Sequence, residues 1–179
     1  MRATKAIVAM AAFAAFAAFA MVVAPASAQV RIDSQAGDPD FLSFGVGGFD
    51  VIAGDFSSAA FQFEYASQKR LWIFHPITGL MVNSDWGGDA YAGVAVDLFF
   101  GNRIVVTPSF APSFYWRGSS KNLGYPLEFR SAIAAAYRFD DRSRLGLEFY
   151  HLSNAGFDDH NPGTEVLLLK YSLPFAQTH

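Results

Sequence analysis

Three residues near the C-terminus, His151, Ser153 and Glu165, have the types and spacing that acyl transfer needs. Residues two apart in an extended strand share a face at about 6.6 to 7 Å, so the His151 ring can lean toward the Ser153 hydroxyl. Glu165 lies in the following extended segment, across the loop from Asn154 to Thr164. Opposed side chains of an antiparallel pair stand about 4.5 to 5.5 Å apart, which lets its carboxylate accept a hydrogen bond from the other ring nitrogen. A nucleophile, a base and a group that orients the base make an acyl hydrolase, recognised by geometry and not by chain order. Plainer readings stand beside this one. His-x-Ser can arise by chance on a wet rim, and Asp158, Asp159 and His160 can be taken as a metal cluster, although their Gly/Asn/Pro-rich surroundings suit solvation better. His75, Glu64 and Asp97 read as interior or rim groups.

The elements that must position these residues are strands. Leu145, Leu147 and Phe149 form an apolar row that continues into His151 and Ser153, while Glu148 and Tyr150 face the other way. Glu165 begins a matching row through Leu167, Leu169, Tyr171 and Leu173. The same period of two runs through 127–139, where Leu127, Phe129, Ile133, Ala135, Tyr137 and Phe139 oppose Glu128, Arg130 and Arg138, and through 57–65, 89–98 and 103–116. Pro108 and Pro112 are expected to weaken the last of these. Segments 41–51 and 71–83 are strand-like but assign their faces poorly, and 143–154 and 163–175 complete a count of eight. Short connections at Gln68-Lys69-Arg70, Gly101-Asn102 and Asp140-Asp141-Arg142 alternate with longer ones at 52–56, 84–88, 117–126 and 155–162. Short periplasmic turns alternating with longer external loops, on segments of about ten alternating residues, are the pattern of an eight-stranded antiparallel up-and-down transmembrane β-barrel. The soluble alternative is a lipocalin-like barrel with its apolar rows turned inward. Eight strands leave room inside for side chains or one small ligand, so function belongs on loops, rims or the outer wall.

The N-terminus carries an export signal. Arg2 and Lys5 precede an apolar run to about Val23, and the small residues Ala26-Ser27-Ala28 form a cleavage site. Residues 1–28 are therefore expected to be removed, leaving the domain 29–179 with 11 basic and 16 acidic groups, a net charge of −5.

Composition narrows the field further. The chain is 52% hydrophobic and 16% aromatic but only 16% charged, against roughly a quarter charged in ordinary soluble domains. With a net charge of −3 and no clustered Lys/Arg, nucleic acid is excluded as a natural partner. The absence of cysteine excludes thiol chemistry, disulfides and a lipidated cysteine.

The segment His151-Leu152-Ser153-Asn154-Ala155-Gly156, followed by Asn161-Pro162-Gly163-Thr164-Glu165, resembles the signature of the lipid A 3-O-deacylase family. That signature is His-x-Ser-Asn, an Asn-x-Gly turn and a Glu fourteen residues after the His, the spacing found here. The resemblance implies an eight-stranded barrel in the cell outer membrane, with Ser153 as nucleophile, His151 as base, Glu165 orienting the histidine and Asn154 in the oxyanion hole. It implies a serine esterase that removes the 3-hydroxyacyl chain at position 3 of lipid A without metal or cofactor. Its partners would be lipid A or lipopolysaccharide as substrate and the surrounding membrane lipids; a homodimer stays open. An outer-membrane phospholipase or broader esterase would use the same three residues, and a structural or adhesive barrel would use none of them.

Overall fold

The structure is a computed structural model that describes residues 30–32, 39–67 and 69–176; the leader expected at residues 1–28 lies outside them. Its strands are β1 (Val30–Ile32), β2 (Asp40–Phe49), β3 (Ser58–Ala66), β4 (His75–Asn83), β5 (Gly88–Ala95), β6 (Leu98–Phe100), β7 (Ile104–Trp116), β8 (Leu127–Arg138), β9 (Arg144–Ser153) and β10 (Thr164–Ala176). Every pairing is antiparallel, and β10 returns to β2 with Val166 opposite Phe49, which closes the ring. Strands β5 and β6 lie in one register along β7, Ala95 opposite Ser109 and Leu98 opposite Val106, so they form one barrel strand. The barrel therefore has eight strands, with β1 laid along β6.

Alternation decides which atoms meet lipid. Phe44, Val46, Phe61, Phe63, Leu80, Phe110, Leu147 and Leu169 are exposed on the outer wall, while Phe41, Gln62, Glu64, Met81, Glu128, Arg130, Glu148, Tyr150 and Leu168 are buried inside. An apolar wall around a polar, filled interior is what a bilayer demands, because the closed ladder leaves no backbone edge unpaired. The soluble, apolar-inside alternative is overturned by these faces.

The interior is sealed by an ionic network. Arg130 donates to Glu148 and lies 4.4 Å and 4.1 Å from the ring centres of Tyr91 and Tyr150. Gln62 Nε2 donates to Glu148 at 2.9 Å, and Lys170 Nζ reaches Glu64 at 2.5 Å and Glu148 at 2.7 Å. A second group sits nearer the turn end, where Asp97 accepts from Arg144 at 3.0 Å and Thr107 at 2.7 Å. The loop 117–126 closes the other end. Its Ser120, Lys121 and Leu123 are buried, Leu123 joins the core cluster with Tyr115, Tyr150 and Leu152, and Lys121 meets Asp50 at 2.5 Å.

Two expectations change. The strand read at 71–83 begins only at His75. Leu71 and Phe74 instead exchange backbone hydrogen bonds across a tight tip with Trp72 at φ +61, so their apolar character marks a turn and not a strand. The prolines do not interrupt β7, which runs unbroken through Pro108 and Pro112. Each lacks a single N–H, and the Pro108 carbonyl still accepts from Val96 N at 3.0 Å. The β8–β9 turn is made by Asp141, whose carboxyl is held below the usual carboxylate range by hydrogen bonds from the Ser143 hydroxyl and N–H.

Candidate active site

The β9–β10 hairpin brings His151 directly opposite Glu165. Both face outward at the loop end of the wall, above Phe149 and Leu167, which are likewise paired. His151 Nδ1 lies 3.1 Å from Glu165 Oε1, a hydrogen bond in which a protonated Nδ1 donates to the carboxylate. The Glu165 side chain is only 10% exposed against 36% for His151, so the acid is fixed behind a ring that reaches the surface. The strand end carrying Glu165 is itself fastened: its carbonyl accepts from Val51 N at 3.1 Å, and Thr164 Oγ1 donates to Asp50 at 3.1 Å.

Ser153 shares the outward face of β9 with His151 and is half-buried, paired across to Phe129 on β8. Its hydroxyl makes no hydrogen bond with His151 or with any other described residue. The structure therefore joins His151 to Glu165 and leaves Ser153 on the same face as a separate hydroxyl.

Three neighbours were given no role at the site by the sequence reading. Ser131 is the β8 partner of His151, opposite the side held by Glu165. It is a polar break in the otherwise apolar outward row of β8, the signal that could have marked it. Phe129 starts an aromatic stack, 5.9 Å from Phe110 and 5.9 Å from Phe157, which continues to Tyr125 at 6.4 Å. Gly163, at φ +63, lies against the histidine: a Cβ there would fall 2.7 Å from His151 Cε1 and 3.2 Å from Nε2. Both the backbone conformation and the close approach call for glycine.

Asn154 is fully buried, and its side chain is spent on the loop. Nδ2 donates to the carbonyls of Leu123 and His160, each at 3.1 Å, and Oδ1 accepts from Gly156 N at 2.9 Å. Its backbone N–H goes to Asn161 Oδ1 at 3.2 Å. The expected oxyanion donor is thus a fastener of the turn in this conformation. Ala155 N–H has no hydrogen-bond partner among the described residues.

The other candidates are placed elsewhere. Asp158 accepts from His160 N at 2.7 Å and the His160 ring lies 3.3 Å from the Asn122 carbonyl, so these residues shape the loop. No group of three His, Asp or Glu that could hold a metal ion comes together among the described residues. His75, Glu64 and Asp97 are buried inside the barrel, away from the outward row.

Fold and site together define an integral membrane β-barrel with a polar row, His151, Ser153 and Glu165, on its lipid-facing wall. A family model described as lipid A 3-O-deacylase (PagL) matches residues 82–174. The chain belongs to that family. It is 27% identical over 90 residues to the lipid A deacylase PagL of Bordetella bronchiseptica, covering 50% of this chain and 44% of that protein. To the protein of the same name from Pseudomonas aeruginosa it is 31% identical over 83 residues, covering 46% of this chain and 40% of the other. The chain thus spans less than half the length of the curated relatives it matches. The crystal structure of the outer membrane enzyme PagL superposes with a TM-score of 0.59 at 22% identity, covering 75% of this chain and 99% of the other. A de novo designed transmembrane β-barrel superposes at 0.51 with 10% identity, covering 79% and 100%. Both likenesses concern the fold. Family membership, a closed barrel and an apolar outer wall place the chain in the outer membrane.

Proposed function

We propose that this chain is an outer-membrane serine esterase that hydrolyses the ester of the 3-hydroxyacyl chain at position 3 of lipid A. The observation that carries the reading is the His151 Nδ1 to Glu165 Oε1 hydrogen bond of 3.1 Å on the outer wall, with Ser153 two residues along the same face. The substrate's ester lies at the boundary between headgroup and acyl chains. A site on the wall at that depth meets the bond without withdrawing the lipid from the membrane.

Glu165 holds His151 in the tautomer with Nδ1 protonated, which leaves Nε2 as the base. Catalytic hydrogen bonds often form only in the complex with substrate. Rotation of the Ser153 hydroxyl toward Nε2 then starts the reaction: Ser153 attacks the ester carbonyl, its proton passes to Nε2, and the leaving sugar hydroxyl takes that proton back. Water repeats the sequence on the acyl-enzyme, releasing the fatty acid and restoring Ser153. Glu165 stabilises the imidazolium formed in each half-reaction. The oxyanion is met by the turn that Asn154 shapes, with Ala155 N–H its unused donor; one good oxyanion donor contributes roughly 3 to 4 kcal/mol elsewhere. Asn154 enters this oxyanion hole by fixing the backbone. No step calls for a metal or cofactor.

The test is mass spectrometry of lipids from Gram-negative cells that express the wild type or Ser153→Ala. Loss of one 3-hydroxyacyl chain from lipid A in the wild type alone supports the reading. Unchanged lipid A with new lysophospholipid assigns the same machinery to phospholipid, and no lipid change in either strain returns the barrel to a structural or adhesive role. A cleaved leader at residues 1–28 belongs to the same reading and is checked by N-terminal sequencing of the outer-membrane form, expected to begin at Gln29.

A further inference from the structure

The turn end of the barrel, opposite the candidate site, carries an apolar surface that neither the site nor the interior uses. The β3–β4 turn presents four consecutive apolar residues, Leu71, Trp72, Ile73 and Phe74, with Leu71 82% and Trp72 90% exposed. This tip is structured. Leu71 and Phe74 exchange backbone hydrogen bonds of 2.9 and 3.1 Å, and Trp72 is held at φ +61, a region that bulky residues rarely adopt. Two cations stand immediately before it. Lys69 is exposed; Arg70 Nη1 donates to the Ile73 carbonyl at 3.5 Å, while Nε and Nη2, tucked against the hairpin, have no protein partner. The other turns at this end are polar, with Arg103 and Asp140 paired across them at 2.6 Å. Phe139 and Phe175 are exposed at this end as well, but the run of four consecutive apolar residues is at this turn.

We infer that this hairpin is a membrane-interface anchor, with residues 71–74 lying at the boundary of headgroups and acyl chains, exposed Lys69 meeting the headgroups of anionic phospholipid and Arg70 adding its charge from within the hairpin. The tip continues the outward faces of β3 and β4, whose last outward residues are Tyr65 and Pro76, so it extends the lipid-facing wall at its turn-end rim. An indole is favoured there, since its ring is apolar and its N–H can stay wet. Basic residues beside an apolar tip are drawn to anionic lipid by their charge. A protein partner fits less well. Four side chains, two of them less than half exposed, cannot supply the roughly 800 Å² per partner of a stable interface. By the loop pattern this end faces the periplasm, so the lipid concerned is that of the inner leaflet.

The experiment uses the full-length barrel with Trp86→Phe and Trp116→Phe, which leaves Trp72 as the one indole of the three. Its reference is the barrel with Trp72→Phe and Trp116→Phe, which leaves Trp86, 84% exposed on the opposite loops. Both are reconstituted in vesicles of phosphatidylcholine, alone or mixed with phosphatidylglycerol, after the gel shift on heating confirms folding. Trp72 is expected to emit to the blue of Trp86, to lose most of its emission in lipids brominated along the acyl chain, and to be quenched several-fold less by iodide. Phosphatidylglycerol should deepen that protection, and Lys69→Gln with Arg70→Gln should abolish the increment. Trp72 emission and iodide access equal to those of Trp86, with no quenching by brominated lipid, would overturn the anchor. So would protection that rises with protein density at fixed lipid composition, which would mean that a second copy covers the tip. Protection indifferent to phosphatidylglycerol would overturn the assignment of Lys69 and Arg70 to anionic headgroups.

Discussion

The barrel holds two clusters of polar side chains at bilayer depth, and they are built on opposite principles. Inside, Arg130, Glu148, Lys170, Glu64 and Gln62 are interlocked, each charge meeting an opposite one. Outside, His151 has Nδ1 committed to Glu165, and the Ser153 hydroxyl two residues along the same face bonds to no described residue. A network of paired charges fixes the shape of the barrel. The open row has a donor, an acceptor and a hydroxyl to spare, which is what acyl transfer consumes. Buried charge alone is therefore a poor guide to function in this fold; unspent hydrogen-bonding capacity on the lipid face is a better one.

The comparison is sharpened most by Ser153→Ala and His151→Ala. Each should lower turnover by at least about ten-thousandfold, since members of one nucleophilic unit fail together, while the gel shift on heating stays intact. Glu148→Leu should do the reverse: removing one member of a buried ionic network costs about 3 to 5 kcal/mol, read as easier guanidinium unfolding from vesicles, with turnover per folded molecule retained. Equal stability losses from Ser153→Ala and Glu148→Leu would erase the distinction. Next comes the wall that carries the open row. Leu169→Arg, near mid-depth, should destabilise by about 2 to 4 kcal/mol, and Leu167→Arg, nearer the rim, by less. Glu165→Gln keeps a hydrogen-bonding group and loses the charge, so the effect on turnover should be about 1.5 to 3 kcal/mol in barrier, well short of Ser153→Ala. Thr164→Val should cost least, about 1 kcal/mol of stability for one hydrogen bond to Asp50.

Period two made most of the barrel legible in the sequence. It set which face of β7, β8, β9 and β10 meets lipid, and with the intervening loop it put Glu165 across from His151. The rule fails where local pattern is not the cause. Leu71 to Phe74 look like a strand because apolar residues are counted alike whether they face a neighbouring strand or the membrane interface. Lys121 and Leu123 look like ordinary loop residues because their partners are remote: Asp50 is 71 positions from Lys121, and the Leu123 carbonyl is held by Asn154. Motif matching gave Asn154 a reactive role by its place in the pattern. Only the three-dimensional closeness of loops 117–126 and 154–163 reveals that its amide is already engaged.

The ring is shut by β10 meeting β2, and the last rung of that seam is the bond from Val51 N–H to the Glu165 carbonyl. The residue hydrogen-bonded to His151 is thus also the one at which the first and last strands of the barrel are zipped together. A chain whose first strand is unpaired keeps His151 and Ser153 but loses the rung that steadies Glu165. In the proposed mechanism, completion of assembly and readiness for chemistry are fastened at the same residue.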